Sequence, residues 1–116
     1  MAMNLSEVKE ILNAEVILGE DRLSIEVSGG AASDLMSDLL KNPKEGALLL
    51  TGLSNLQAIR TAVIAGMAAV VFVRGKIPDS DIISLAKENE IPLLSTPFNM
   101  YTSCGRLFSK GLKSIR

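Results

Sequence analysis

The sequence predicts an α/β domain of three layers (α/β/α), built on a mainly parallel sheet with right-handed βαβ crossovers. Three observations predict it. Continuous apolar runs recur at "GALLLTG", "AAVVFVRG" and "IPLLST", as expected of strands covered on both faces. Stretches of helical period separate these runs, and the links between them are short. At 116 residues, 47% of them hydrophobic, the chain reads as a single domain over residues 1–116 with enough apolar side chains for a core. Aromatic residues are only 3% and Trp is absent, so that core is aliphatic.

The elements follow in order. Ser6 is placed to cap a first helix over residues 7–13, and Glu7 in its first turn suits the positive end of the helix dipole. Lys9 at the third helical position leaves no reciprocal capping box. Val8, Ile11 and Leu12 form the apolar face of this helix. Val16 and Leu18, then Leu23, Ile25 and Val27, alternate around Gly19 to Arg22, the pattern of two short strands with a turn between them. After Gly29-Gly30 the period changes from two to about 3.6. Ala32, Leu35, Met36, Leu39 and Leu40 then share one face of a helix that stops at Asn42-Pro43, because the residue before a proline avoids helical geometry.

The remainder alternates regularly. The strand "GALLLTG" leads to a helix with Leu56, Ile59, Val63 and Ile64 inward and Gly66 at its end. The strand "AAVVFVRG" leads to a helix over "PDSDIISLAKENE", with Pro78 near its start. A third strand, "IPLLST", leads to a closing helix over "NMYTSCGRLFSKGL", interrupted by Gly105.

Composition excludes several functions. Twelve basic residues against thirteen acidic give a formal charge of −1, and Arg106, Lys110, Lys113 and Arg116 are spaced as a solvated helix face. No concentrated basic surface marks a nucleic-acid binder. The absence of histidine removes the usual general base, the Ser-His and Cys-His pairs and most zinc sites. The single Cys104 has no partner for a disulfide and fits a reducing cytoplasm; it reads as a small packing residue. The start "MAMNLSEVKEIL" lacks the features of a secretory signal. The longest apolar stretch, Ala62 to Val73, falls short of the ~20 residues that a membrane span needs. The expected protein is cytoplasmic, without nucleic-acid or membrane contacts.

In open parallel sheets ligands gather at the carboxyl ends of the strands, where helix N-termini also point. Four loops are expected at or near that edge: Ser28-Gly29-Gly30, then Thr51 and Gly52 with Ser54 and Asn55, then Arg74-Gly75-Lys76, then Ser95-Thr96 with Asn99. Together they offer backbone N–H groups, hydroxyls and two cations to an anion. The Gly29-Gly30 junction has two readings, a plain turn into a helix or the wall of an anion cradle, and no dinucleotide or P-loop pattern accompanies it. Asp34 and Asp38, spaced i and i+4, read as a solvated helix face rather than as ligands for Mg²⁺. No metal or cofactor is expected.

The segments "GGAASDLMSDLL", "KEGALLLTG", "AAVVFVRGKIPDSDIISLAKENEIPLLSTP" and "TSCGRLFSKGL" together resemble the DRTGG domain, over about residues 15–112. The block "IPLLSTPFNMYTSCGRL" is also similar to part of the N-terminal domain of HPr kinase/phosphorylase. The resemblance implies a regulatory or ligand-sensing α/β module, often suspected of nucleotide binding, whose catalytic partner lies in another domain or chain. Departures are visible. Where many family members carry Gly-Asp-Arg, this chain has Gly52-Leu53-Ser54, and Val73-Arg74-Gly75 stands where Thr-Gly-Gly often follows the next strand.

The expected function is therefore a non-catalytic module that binds a small anionic metabolite or nucleotide at the strand ends. The alternative is a ligand-free homodimer or higher homo-oligomer that docks to an enzyme or a signalling kinase. Catalysis is disfavoured, since no two side chains fall into a nucleophile–base pattern.

Overall fold

Opposed apolar rows along each central strand organise the molecule. A computed structural model describes residues 3–42 and 44–115; Pro43, expected to stop a helix, and Arg116, part of the basic tail, lie outside them. The elements are β1 (Met3–Asn4), α1 (Leu5–Leu12), β2 (Glu15–Leu18), β3 (Glu26–Val27), β4 (Gly30–Ala32), α2 (Met36–Leu39), β5 (Leu48–Thr51), α3 (Leu56–Ala65), β6 (Ala69–Phe72), α4 (Ser80–Glu88), β7 (Leu93–Ser95) and α5 (Met100–Ser109).

Five strands form the main sheet in the order β2-β7-β6-β5-β4. The pairs β4/β5, β5/β6 and β6/β7 are parallel, and β2 closes one edge antiparallel to β7 with a register shift between Val16 and Leu18. Each parallel crossover advances one place along the sheet. Val70 and Phe72 of β6, Leu49 of β5 and Leu93 of β7 face a cluster with α2, α3 and α4. Val71, Leu48, Leu50 and Leu94 face the opposite cluster, with α1 and α5. The predicted three-layer architecture is present, and its continuous apolar runs exist because alternate residues feed two different cores.

Several local expectations are corrected. The first helix begins two residues early: Asn4, not Ser6, is its cap. Asn4 Oδ1 accepts from Glu7 N–H at 2.9 Å, and Asn4 N–H donates to Glu7 Oε1 at 3.0 Å. A reciprocal capping box is thus present, with Glu7 at the third helical position that the later start had given to Lys9. The strands around Gly19 do not pair with each other. A 3₁₀ turn over Glu20–Arg22 separates them; β2 joins the main sheet, and β3 pairs antiparallel with β1 in a two-stranded ribbon.

The Gly29-Gly30 region is the largest correction. Gly30–Ala32 is an edge strand, and the helix behind it is a single turn, Met36–Leu39. Gly30 N–H donates to Lys113 O at 2.8 Å, and Gly30 O accepts from Ile115 N–H at 2.9 Å, so the chain's C-terminal segment runs along β4. Long-range ladder bonds override the local helical period. A Cβ at Gly29 would meet Lys113 O at 3.0 Å and Ile115 N at 3.1 Å, and one at Gly30 would meet the Leu112 side chain at 3.3 Å; these glycines admit the C-terminal segment and do not make a turn.

In α3 the inward face is Ala58, Ile59, Thr61 and Ala62, while Val63 and Ile64 are 41% and 72% exposed. Ile59 and partly buried Leu56 pack inward as expected, and Val63 and Ile64 lie outside. Gly105 does not interrupt α5, which is continuous from Met100 to Ser109. Among the described residues no helix is long and apolar enough to cross a membrane.

Candidate functional site

Parallel strands that end level with one another bring their following loops to one edge. Thr51 pairs in register with Phe72, and Phe72 with Ser95, so the loops after β5, β6 and β7 are neighbours. The N-termini of α3 and α5 follow the first and last of these loops, capped by Asn55 Oδ1 on Ala58 N–H (2.9 Å) and Asn99 Oδ1 on Thr102 N–H (2.8 Å).

The loop after β6 presents the charge. Arg74 and Gly75 both adopt left-handed backbone, with φ of 60° and 68°. The turn is held by Arg74 N–H donating to Phe98 O (2.8 Å) and Gly75 N–H donating to Thr96 O (2.7 Å). Gly75 suits such a backbone, whereas Arg74 adopts it at a cost offset by these bonds. The Arg74 guanidinium lies over Gly52: a Cβ on that glycine would sit 2.8 Å from Nη2. Arg74 and Lys76 are exposed, and among the described residues neither forms an ion pair; the pairs present are Arg22–Glu90 at 4.0 Å and Lys41–Asp38 at 3.3 Å.

Most of the expected hydroxyls serve the fold. Ser95 Oγ donates to Lys76 O at 2.7 Å and Thr96 Oγ1 to Leu12 O at 2.6 Å, both from buried residues. Thr51 Oγ1 donates to Asp34 Oδ1 at 3.0 Å and accepts from Leu53 N–H at 3.1 Å. Asp34 Oδ1 also accepts from Gly52 N–H at 2.7 Å. Asp34, expected on a solvated helix face, instead precedes α2 and binds the next strand end, while Asp38 pairs with Lys41. Among the described residues no group of three or more metal-ligating side chains assembles.

The structure therefore joins Thr51, Gly52, Ser54, Asn55, Arg74, Gly75, Lys76, Ser95, Thr96 and Asn99 at one edge. It separates Ser28, Gly29 and Gly30 from them, because Gly30 pairs with Leu48 at the amino end of the parallel strands. Ser28 Oγ donates to Glu45 O at 2.9 Å there. Sequence reasoning missed Asp34 as a strand-end residue, and the only signal for it was the "SD" dipeptide after a short apolar run.

A second feature was not foreseen. An apolar groove of about 440 Å³ lies between α5 and the β4 edge, with Ala32, Leu50, Tyr101, Gly105 and Phe108 among its lining. Tyr101 and Phe108 are 89% and 66% exposed. Half-buried Cys104 also lines it, and burial pushes its thiol pKa above the ordinary range. Of the expected site residues, only Gly30 reaches this groove.

A comparison with curated protein sequences found no match. Among solved structures, the chain is similar to the CBS and DRTGG domains of the regulatory region of Clostridium perfringens pyrophosphatase, determined in complex with the activator diadenosine tetraphosphate. The TM-score is 0.75 at 22% identity over 95% of this chain, which spans about half (47%) of that one. That likeness shows a shared fold. The DRTGG domain family model matches residues 7–109, which is most of the sequence and includes every strand of the five-stranded sheet, and the chain belongs to the DRTGG domain family.

Proposed function

We propose that this DRTGG domain is a non-catalytic regulatory module that binds a small anion, of the nucleotide or phosphorylated-metabolite class, at the carboxyl ends of β5, β6 and β7. The observation that carries this reading is Arg74, whose backbone is held in a tight turn, whose guanidinium lies over Gly52, and which has no carboxylate partner among the described residues. An exposed guanidinium beside two helix N-termini suits phosphate or carboxylate. The structural relative was solved with a nucleotide activator, which supports the ligand class. The enzyme under control would lie in another domain or chain, and the setting would be the cytoplasm.

Calorimetric titration with diadenosine tetraphosphate, AMP, ADP and pyrophosphate, each with and without Mg²⁺, tests it. Binding by the wild type is expected to weaken at least ~10-fold in Arg74→Ala, since a hydrogen bond to a charged group contributes about 1.5–3 kcal/mol. Gly52→Ala should act in the same direction by pushing the guanidinium aside. Unchanged affinity in Arg74→Ala removes this site.

The groove beside α5 favours a second reading, a partner chain or a second copy seated on Tyr101 and Phe108. A species that stays monomeric across a sedimentation concentration series removes its self-association form.

A further inference from the structure

We propose that Asp34 is a built-in anion: its carboxylate occupies donors that a ligand oxygen would take, so anion binding displaces Asp34 and loosens the segment it holds, residues 33–40. This inference rests on the strand-end site proposed above and names how that site is regulated.

Three observations carry it. First, Asp34 Oδ1 accepts from both Gly52 N–H (2.7 Å) and Thr51 Oγ1–H (3.0 Å). A carboxylate oxygen receiving a backbone amide and a hydroxyl at a strand end is the pattern that a bound phosphate or carboxylate would show. Second, Gly52 lies between opposite charges. The Arg74 guanidinium covers its Cα while Asp34 holds its amide, yet the two side chains form no ion pair within 4.0 Å. An anion drawn to Arg74 over Gly52 therefore arrives beside the residue whose amide Asp34 holds, and like charges brought together there repel. Third, the segment after β4 has few polar ties to the sheet besides Asp34, and its apolar hold is confined to two side chains. Ser33 N–H makes a bond to Leu50 O at 3.1 Å, and α2 is one turn anchored by buried Met36 and Leu39.

Releasing the carboxylate thus loosens residues 33–40 while leaving β5 and β6 intact, because a single helical turn held by two buried side chains opens at lower cost than strands buried on both faces. Leu35 and Leu40, which flank that turn, are 58% and 48% exposed, and Ile64 on the adjacent α3 is 72% exposed. Leu40 and Ile64 line one surface hollow with Leu39, Lys41 and Glu45, so the segment that Asp34 restrains contributes to an exposed face of mixed character. A charge at the strand ends is converted there into a change of shape that a partner can read.

The test measures pyrophosphate affinity by calorimetry for the wild type, Asp34→Ala, Asp34→Asn and Arg74→Ala, with amide hydrogen exchange of residues 35–40. Asp34→Asn keeps an acceptor oxygen for the same two donors and covers the case in which Asp34→Ala fails to fold. Both Asp34 variants are expected to bind pyrophosphate ~10-fold tighter than the wild type, the low end for a competing hydrogen bond to a charged group. Exchange in residues 35–40 should quicken when the wild type is saturated, and Asp34→Ala should show that faster exchange without ligand. If the wild type binds and Arg74→Ala does not, but the Asp34 variants bind no tighter, the displacement mechanism is overturned and the site stands. If neither the wild type nor the Asp34 variants bind, both fall.

Discussion

Single residues in this chain are placed for reasons that the folded backbone makes measurable. The Asn4–Glu7 capping box satisfies two N–H groups at the start of α1, and a cap of this kind contributes about 1 kcal/mol. Asn4→Ala is expected to lower the thermal midpoint by ~4 °C, the scale for a domain of this size, read by circular dichroism. Gly105 has the opposite sign. It lies inside α5 with nothing within 4 Å of the space a Cβ would fill, and glycine in a helix interior is ~0.5–1 kcal/mol less favourable than alanine. Gly105→Ala should therefore raise the midpoint by a few degrees. A fall in the midpoint would show a cost at that position that the open groove does not reveal. Arg74 and Asp34 are the residues on which function is argued. Arg74 was legible in the sequence as a charge that directly follows a strand. Asp34 was not, because its partners Thr51 and Gly52 are 17 and 18 positions away.

At the scale of elements, legibility followed the source of each element's stability. The runs at β5, β6 and β7 are buried on both faces and declared themselves by composition alone. β4 did not. It is three small residues whose strand state comes from β5 on one side and the Lys113–Ile115 segment on the other, and no local pattern encodes either neighbour. The same cause misplaced Ser28, Gly29 and Gly30, since a strand beginning at Gly30 puts them at the far end of the sheet. In α3 a period of 3.6 was present and placed Leu56 and Ile59 inward, but Ala58 and Ala62 took the inward positions expected of Val63 and Ile64. That assignment predicts unequal costs. Ile59→Ala, at a fully buried position, should cost about 2–5 kcal/mol. Ile64→Ala, on the exposed side, should stay within ~0.5 kcal/mol. Equal losses in chemical denaturation would mean that α3 is rotated from the face described.

At the scale of the molecule, one sheet serves both cores, so its two helical layers have no independent support. Leu49 and Leu50 are neighbours in β5, 0% and 2% exposed, yet Leu49 packs with α2–α4 and Leu50 with α1 and α5. Removing either side chain leaves a cavity beneath a different layer, and each change to Ala should cost about 2–5 kcal/mol. Because the damaged strand is common to both layers, unfolding should remain a single transition. Cys104 supplies a local probe of the α5 layer. It is half-buried with a thiol pKa raised by burial, so it reacts slowly with a disulfide reagent at neutral pH while α5 is docked. In wild type, Leu49→Ala and Leu50→Ala alike, the denaturant midpoint from thiol reactivity should coincide with that from far-ultraviolet circular dichroism. Thiol reactivity that rises at lower denaturant in Leu50→Ala alone would mean that the α1–α5 layer detaches as a unit. It would also place the groove beside α5 on a separable surface, and the strand-end site would then be coupled to it less tightly than a shared sheet requires.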